Sequence, residues 1–320
     1  MPWCKGKPFG PLPEIIASGY SMAMNSALQK KVLESFIEII RKTSVDLPGD
    51  VVDAIQSGRK QEPEDSRGKY AMCIIEKNID LARVKSQPLC QDTGSILFFV
   101  HYPRKLDGEV LGKLIRKAVV QATKKGYLRQ NSVDSLTGKN NGTNVGPGTP
   151  TLHLEPWSKE FFDIRLILKG GGCENVGAQY SLPDSRIGAG RDLAGVKKCL
   201  LDAVQQAQGK GCGPGVLGVT IGGDRATGYL HTKEQFLRKM NDKNKIPALA
   251  QLETEVLAEA NQLGIGPMGF GGKTTLMGVK IGALNRVPAS FFVSVSYMCW
   301  AYRRQGAKVS IKGDIQKWLY

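Results

Sequence analysis

Apolar positions along the chain follow two spacings. Leu28, Val32, Phe36, Ile39 and Ile40 recur at helical intervals and predict an amphipathic helix over 28–42. A short helix over 49–57 and a longer one over 67–84 follow. Leu111, Leu114, Ile115, Val119 and Ala122 mark the next helix, and Leu193, Val196, Leu200 and Val204 another that ends near Gly209. Pro247 is placed to start a helix lined by Leu249, Leu252, Val256 and Leu263, with Gly264 as its stop. The strand signals are the apolar run Ile96–Val100, the alternation of Phe162, Ile164, Leu166 and Leu168, and the segments Val216–Ile221 and Leu276–Ile281. Phe291, Val293, Val295 and Tyr297 give a further strand, and Val309 with Ile311 one more. No period repeats and no linker divides the chain. It reads as α/β, with mixed β-sheets flanked by helices. Residues 1–25, broken by Pro2, Pro8, Pro11 and Pro13, read as an irregular extension, which leaves 26–320 as the domain.

Composition narrows the function classes. A chain of 320 residues is long enough for one large core or two packed lobes. No stretch approaches the roughly 18–20 apolar residues of a membrane span, and the N-terminal prolines break any secretory core. No membrane partner is therefore expected, and a cytoplasmic location is. The net charge of +15 favours anionic partners. Its basic residues are dispersed, as at Lys30-Lys31, Lys124-Lys125, Lys197-Lys198 and Arg303-Arg304, with no basic helix carrying interleaved aromatics. Nucleic acid is accordingly not the expected partner. Three scattered histidines, with no HExxH, paired CxxC or GxSxG, remove the usual signals of zinc peptidases, zinc ribbons and α/β-hydrolases.

The cysteines carry the candidate chemistry. Seven is an odd count at modest density, which argues for reduced thiols rather than a disulfide framework. Cys73 and Cys199 sit on helices among apolar neighbours and read as core, and Cys4 lies in the extension. Cys90, Cys212 and Cys299 each fall in a loop or at a strand boundary, with Cys173 as their rival. Their spacing matches no local metal motif, but three thiols can converge from separate loops. Around the first lies Pro88-Leu89-Cys90-Gln91-Asp92-Thr93-Gly94, which puts a thiol, an amide, a carboxyl and a hydroxyl on consecutive residues before a permissive glycine. Two other motifs fail. Gly264-x-Gly266-x-x-Gly269 follows a helix, whereas a dinucleotide fingerprint follows a strand. Gly272-Lys273-Thr274 lacks the first glycine of a phosphate loop, since that position is Pro267.

Leu89-Cys90-Gln91-Asp92-Thr93-Gly94 resembles the signature of the iron–sulfur hydro-lyases, the class I fumarases and L-tartrate dehydratases. The resemblance continues in order through Leu128-Arg129, Gly142-Thr143-Asn144, Lys169-Gly170-Gly171-Gly172, the loop around Cys212, Gly264-Ile265-Gly266-Pro267 and Ser296-Tyr297-Met298-Cys299-Trp300-Ala301. It covers roughly 28–312 and implies an α-type catalytic domain with a 4Fe-4S cluster held by Cys90, Cys212 and Cys299. The family often has serine where this chain has Cys173, so Cys173 is not counted as a ligand. Three thiolates leave one iron free to act as a Lewis acid. The resemblance further implies Asp92 as the catalytic residue and Gln91, Arg129 and Gly172 as substrate-binding residues. The reaction it implies is reversible dehydration of malate to fumarate, with tartrate as the alternative substrate and a structural interaction subunit as the non-enzyme alternative. A β subunit or domain is expected to supply the base, in a homo- or hetero-oligomer. The chain departs from the family at Asn285-Arg286-Val287-Pro288, where a histidine usually follows the arginine.

Overall fold

The computed structural model describes residues 24–320, so Cys4 and the N-terminal prolines lie outside the described residues. Three helices come first: α1 (Ser26–Val45), α2 (Gly49–Gln61) and α3 (Arg67–Lys85). The Asn25 side chain accepts the Leu28 N–H at 2.9 Å and starts α1, and the Ser66 side chain caps α3 in the same way. Strand β1 (Ser95–Pro103), helix α4 (Gly108–Lys124) and strands β2 (Thr151–Trp157) and β3 (Phe161–Lys169) follow. A single turn of helix, α5 (Gly171–Asn175), precedes β4 (Ala178–Ser181), α6 (Leu193–Ala207), β5 (Gly215–Ile221), α7 (Arg225–Gln235) and α8 (Pro247–Gln262). The described chain ends with β6 (Leu276–Ala283), β7 (Phe292–Met298), β8 (Arg303–Ser310) and β9 (Ile315–Trp318).

The strands form two mixed sheets. One runs β2-β1-β3-β8-β9 and is parallel only between β1 and β2. The other runs β4-β7-β5-β6 and is parallel only between β5 and β6. The apolar run of β1 has a physical reason. Ile96, Phe98 and Val100 face α1 and α4 in one core, while Leu97 and Phe99 face a second layer with α2 and α3. A strand buried on both faces needs no alternation. A third core packs α6 and α8 on the smaller sheet. The layer containing Leu97, Phe99 and Ile167 from the larger sheet also takes Val216 and Met298 from the smaller, so it joins the two.

Several elements carry no strong periodic signal. Helix α7 buries Gly228, Thr232 and Gln235, so its inner face is not apolar, and a capping box between Asp224 and Thr227 starts it instead. Strand β2 is half exposed and contains Pro156. Strand β8 begins at Arg303, well before the expected Val309, because its first residues are buried polar groups; Ile311 falls in the turn beyond it. No helix among the described residues is long and apolar enough to cross a membrane.

Phe98 is fully buried and packs edge-on against Phe36 of α1 at 5.8 Å between ring centres. Phe98→Ala is expected to cost about 3–5 kcal/mol of stability, read as a lowered urea midpoint at unchanged slope.

Candidate functional site

The loop between α3 and β1 is held at both of its ends. The Leu89 N–H donates to the Ser44 carbonyl at 2.9 Å, and the Leu89 carbonyl accepts the Asn78 side-chain amide at 2.9 Å. This pins the peptide that leads into Cys90. At the far end Gly94 has φ +69, and a Cβ there would lie 2.0 Å from the Lys169 carbonyl oxygen. Only glycine lets the two loops approach so closely. Between these anchors, Asp92 accepts the Gly171 N–H at 2.6 Å on one carboxylate oxygen and the Asn131 side-chain amide at 2.7 Å on the other. One carboxylate thus ties three loops together, and its remaining lone pairs stay free.

A second clamp holds the Arg129 loop. Asn144 is buried in the left-handed region, φ 57, and donates its amide to the Arg129 carbonyl at 2.8 Å and to Thr123 Oγ1 at 3.1 Å. Its amide oxygen accepts the Asn131 and Ser132 N–H groups at 2.8 and 3.1 Å. The Thr93 hydroxyl donates to the same Arg129 carbonyl at 2.8 Å. The Arg129 side chain projects exposed from this fixed backbone and forms no ion pair among the described residues. Gln91 is exposed beside Cys90. Gly172 is exposed in the first turn of α5, one residue past the N–H that Asp92 accepts.

The Gly170-Gly171-Gly172 turn is flanked by an ion cluster in which Lys169 is buried and Glu174 and Lys233 are partly exposed. Lys169 pairs with Glu174 at 2.9 Å, and Glu174 pairs with Lys233 at 2.7 Å. Burial pulls the Lys169 ammonium below its usual range. Burial also pushes the Glu174 carboxyl up, but the two lysines outweigh it and hold the group below its ordinary value.

The thiols meet where the layer between the sheets reaches these loops. Cys173 and Cys299 are buried in that layer and Cys90 packs against it. The Cys173 thiol donates to the Gly211 carbonyl at 3.9 Å. The adjacent Cys173 thiol and then burial hold Cys299 up, while Cys173 is drawn down by the adjacent Cys299 and by Lys169 against its own burial. Cys212 stands in the left-handed region, φ 54, and its carbonyl accepts the Trp300 N–H at 3.2 Å, which ties it to the end of β7. Partial burial, then the neighbours Cys173, Cys90 and Asp92, push the Cys212 thiol up. The glycines around Cys212 follow from Tyr297. A Cβ on Gly211 or Gly215 would lie 2.5 or 2.1 Å from its ring.

The structure therefore brings Cys90, Cys212, Cys299 and Asp92 together, with Gly171-Gly172 and the Arg129 loop beside them. Cys173, the rival loop cysteine, lies with them, buried in the same layer. The structure also adds Arg303, a fully buried arginine whose guanidinium nitrogens have no hydrogen-bond partner among the described residues. Among those residues no three His, Cys, Asp or Glu side chains close around a single metal ion. A multi-iron cage takes one thiolate per iron, so its ligands need not meet at a point. The donor set here, soft thiolates from separate loops, is the kind that suits such a cage. Cys73 is half-buried beside Arg59, while Cys199 is fully buried on α6 and burial pushes its thiol up to about 12. Both lie apart from this group.

Val287 lies elsewhere. It is exposed in the loop after β6, at the opposite end of the smaller sheet from Cys212 and Cys299. The two nucleotide-like motifs are also accounted for. Glu62, itself buried, accepts the Lys273 N–H at 2.9 Å and the Thr274 N–H at 2.7 Å, so these donors already serve a protein carboxylate. The Gly264–Gly269 stretch links α8 to a short 3-10 turn and cradles no strand-to-helix turn.

Residues 33–308 match the family model described as fumarate hydratase (fumerase). A Geobacillus stearothermophilus protein provisionally named fumarate hydratase class I is 50% identical over 295 residues, which cover 91% of this chain and 57% of that protein. The chain thus spans little more than half the length of that relative. The Escherichia coli K12 protein named L(+)-tartrate dehydratase subunit alpha is 32% identical over 289 residues, 88% of this chain and 93% of that one. A provisionally named Methanocaldococcus jannaschii counterpart is 32% identical over 290 residues, 89% of this chain and all of its own length.

Removing the Asn144 clamp should loosen the Arg129 loop. Asn144→Ala is expected to cost about 1–3 kcal/mol and to speed hydrogen exchange at the Asn131 and Ser132 amides, measured by NMR or mass spectrometry.

Proposed function

The chain belongs to the fumarate hydratase family, and on that premise we propose that it is the α part of an iron–sulfur hydro-lyase that reversibly dehydrates (S)-malate to fumarate. The observation that carries this reading is the meeting of Cys90, Cys212 and Cys299 beside the Asp92 carboxylate. A 4Fe-4S cluster held by those three cysteines would supply a Lewis-acidic iron at the substrate hydroxyl.

The chain's own residues would do the rest of this half of the chemistry. Asp92, fixed by Gly171 and Asn131, holds and passes a proton at the hydroxyl end of the substrate. Arg129, with its backbone clamped and no acidic partner among the described residues, grips a substrate carboxylate with a two-pronged donor. Gln91 supplies amide contacts, and the Gly172 N–H is offered to a carboxylate oxygen. Removal of the proton from the neighbouring carbon needs a base that we assign to a β subunit or domain. The tartrate dehydratase relatives, named subunit alpha, favour such a partner. Those names also favour a second reading, L-tartrate as substrate, though the higher identity lies on the fumarate hydratase side.

Anaerobic reconstitution with iron and sulfide tests the reading. The chain is expected to gain visible iron–sulfur absorbance and to show negligible malate dehydration until a β partner is added. Failure to bind iron and sulfide, or full activity alone, overturns it; tartrate turnover in place of malate selects the second reading.

Single substitutions sort the cysteines. Cys90→Ser, Cys212→Ser and Cys299→Ser are each expected to lose the cluster absorbance, while Cys173→Ser keeps it. Asp92→Asn is expected to keep the cluster and lose about a hundredfold or more in turnover. Unchanged turnover would favour a structural role for the cluster.

A further inference from the structure

Two neighbouring arginines at the start of β8 are equally buried and differently served. Arg304 donates through Nη2 to Asp50 at 2.6 Å and to the Arg238 carbonyl at 3.1 Å and stacks on Tyr302 and Tyr320 at 4.7 and 4.3 Å, although its Nε and Nη1 have no hydrogen-bond partner among the described residues. Arg303 is 1% exposed, and its Nε, Nη1 and Nη2 all lack a partner among the described residues. An isolated buried cation is among the costliest groups a fold can carry, and removing it from water is repaid only by a nearby anion. The ordinary sources of repayment are missing, since no Arg303 ion pair forms among the described residues.

The strand register fixes where its backbone lies. Arg303 lies four residues past Cys299, and it pairs in register with Leu168 of β3, directly before the Lys169–Cys173 loop. It therefore stands at the end of the larger sheet where the thiols meet. Its charge lies close enough to act on both buried thiols, Cys173 and Cys299.

We propose that Arg303 is the buried counter-charge of the iron–sulfur cluster, a positioning residue that neutralises the thiolate-bound cage and donates hydrogen bonds to its sulfur atoms. The proposal rests on the cluster reading above. A cage bound by three thiolates and carrying inorganic sulfide is net anionic and rich in acceptors. A guanidinium presents five donors and keeps its charge when buried. Net charge and hydrogen bonds to the sulfurs set how readily such a cluster is reduced. Removing Arg303 therefore makes the reduced cluster harder to form and the bound cluster easier to lose. This makes Arg303 responsible for retention and redox poise, with no step in the dehydration itself.

The test compares full chains reconstituted anaerobically: wild type, Arg303→Met, Arg303→Gln and Arg303→Lys. Potentiometric titration followed by EPR reads the reduction potential, and bleaching by an iron chelator reads retention. The two neutral variants are expected to shift the potential to more negative values and to bleach about tenfold to a hundredfold faster. Arg303→Lys, which keeps the charge, is expected to stay close to wild type in potential. Neutral variants that match wild type in both readouts overturn the proposal alone, because the wild-type cluster still stands. So does a lysine variant whose potential shifts as far as the methionine variant's, since shape would then be the cause. Circular dichroism before loading separates the remaining case: neutral variants that do not fold without the cluster assign Arg303 to the fold and overturn the proposal. A wild-type chain that takes up no cluster overturns the reading beneath it as well.

Discussion

A single apolar layer joins the two sheets, and the thiols line its edge. Leu97, Phe99 and Ile167 reach it from the larger sheet, Val216 and Met298 from the smaller, and Cys173 and Cys299 belong to it outright. This layer decides where Cys90, Cys212 and Cys299 can go. Cys90 hangs from the loop before β1, Cys212 precedes β5, and Cys299 ends β7. Strands β5 and β7 are paired in the smaller sheet, which sets Cys212 beside Cys299, whereas β1 belongs to the larger sheet, so Cys90 reaches them across the filled layer. Sequence distance between the cysteines is then irrelevant, and rigidity comes from packing rather than from a local motif.

Close backbone approach is the second requirement, and it explains the density of glycine better than turns do. Gly94 against Lys169, and Gly211 and Gly215 against the Tyr297 ring, are places where a side chain would occupy the same space as a neighbour. Each contact draws one cysteine-bearing loop onto another element. Asp92 acts in the same direction with polar bonds, joining its own loop to Gly171 and Asn131. The carboxylate is thus structural and available at once: two bonds orient it, while its remaining lone pairs stay free. Orientation by neighbours is what a group handling a proton in a defined direction needs.

What could be read from the chain depended on whether a buried surface was apolar. Helices α1, α4, α6 and α8 bury leucine, isoleucine, valine and alanine, and their spacing announces them. Helix α7 buries glycine, threonine and glutamine, so it has no apolar stripe to find. Strand β2 is half exposed and carries a proline, which removes its alternation. The Cys90–Gly94 stretch was legible because its residue types are chemically unusual side by side. Cys173 was visible as a rival, but its role was not, because a cysteine among glycines beside a strand looks the same whether it packs or reacts. The placement of Arg129 was legible only through family resemblance; the Asn144 clamp that fixes it joins residues too far apart to be paired by pattern.

Strand β8 concentrates what pattern reading cannot reach. Arg303, Arg304 and Gln305 are consecutive and all buried, against the usual exposure of those residue types. Lys169 of β3 and Lys280 of β6 are buried too, but each has a carboxylate partner, so a buried arginine without one calls for a specific cause. For Arg304 the cause is visible in Asp50 and two tyrosine rings. For Arg303 the protein offers no acid, only the thiols of Cys173 and Cys299 nearby. A fold tolerates an unpaired buried cation when something it binds supplies the opposite charge. On the cluster reading, the anionic cage held by the neighbouring cysteines supplies that opposite charge at this strand end.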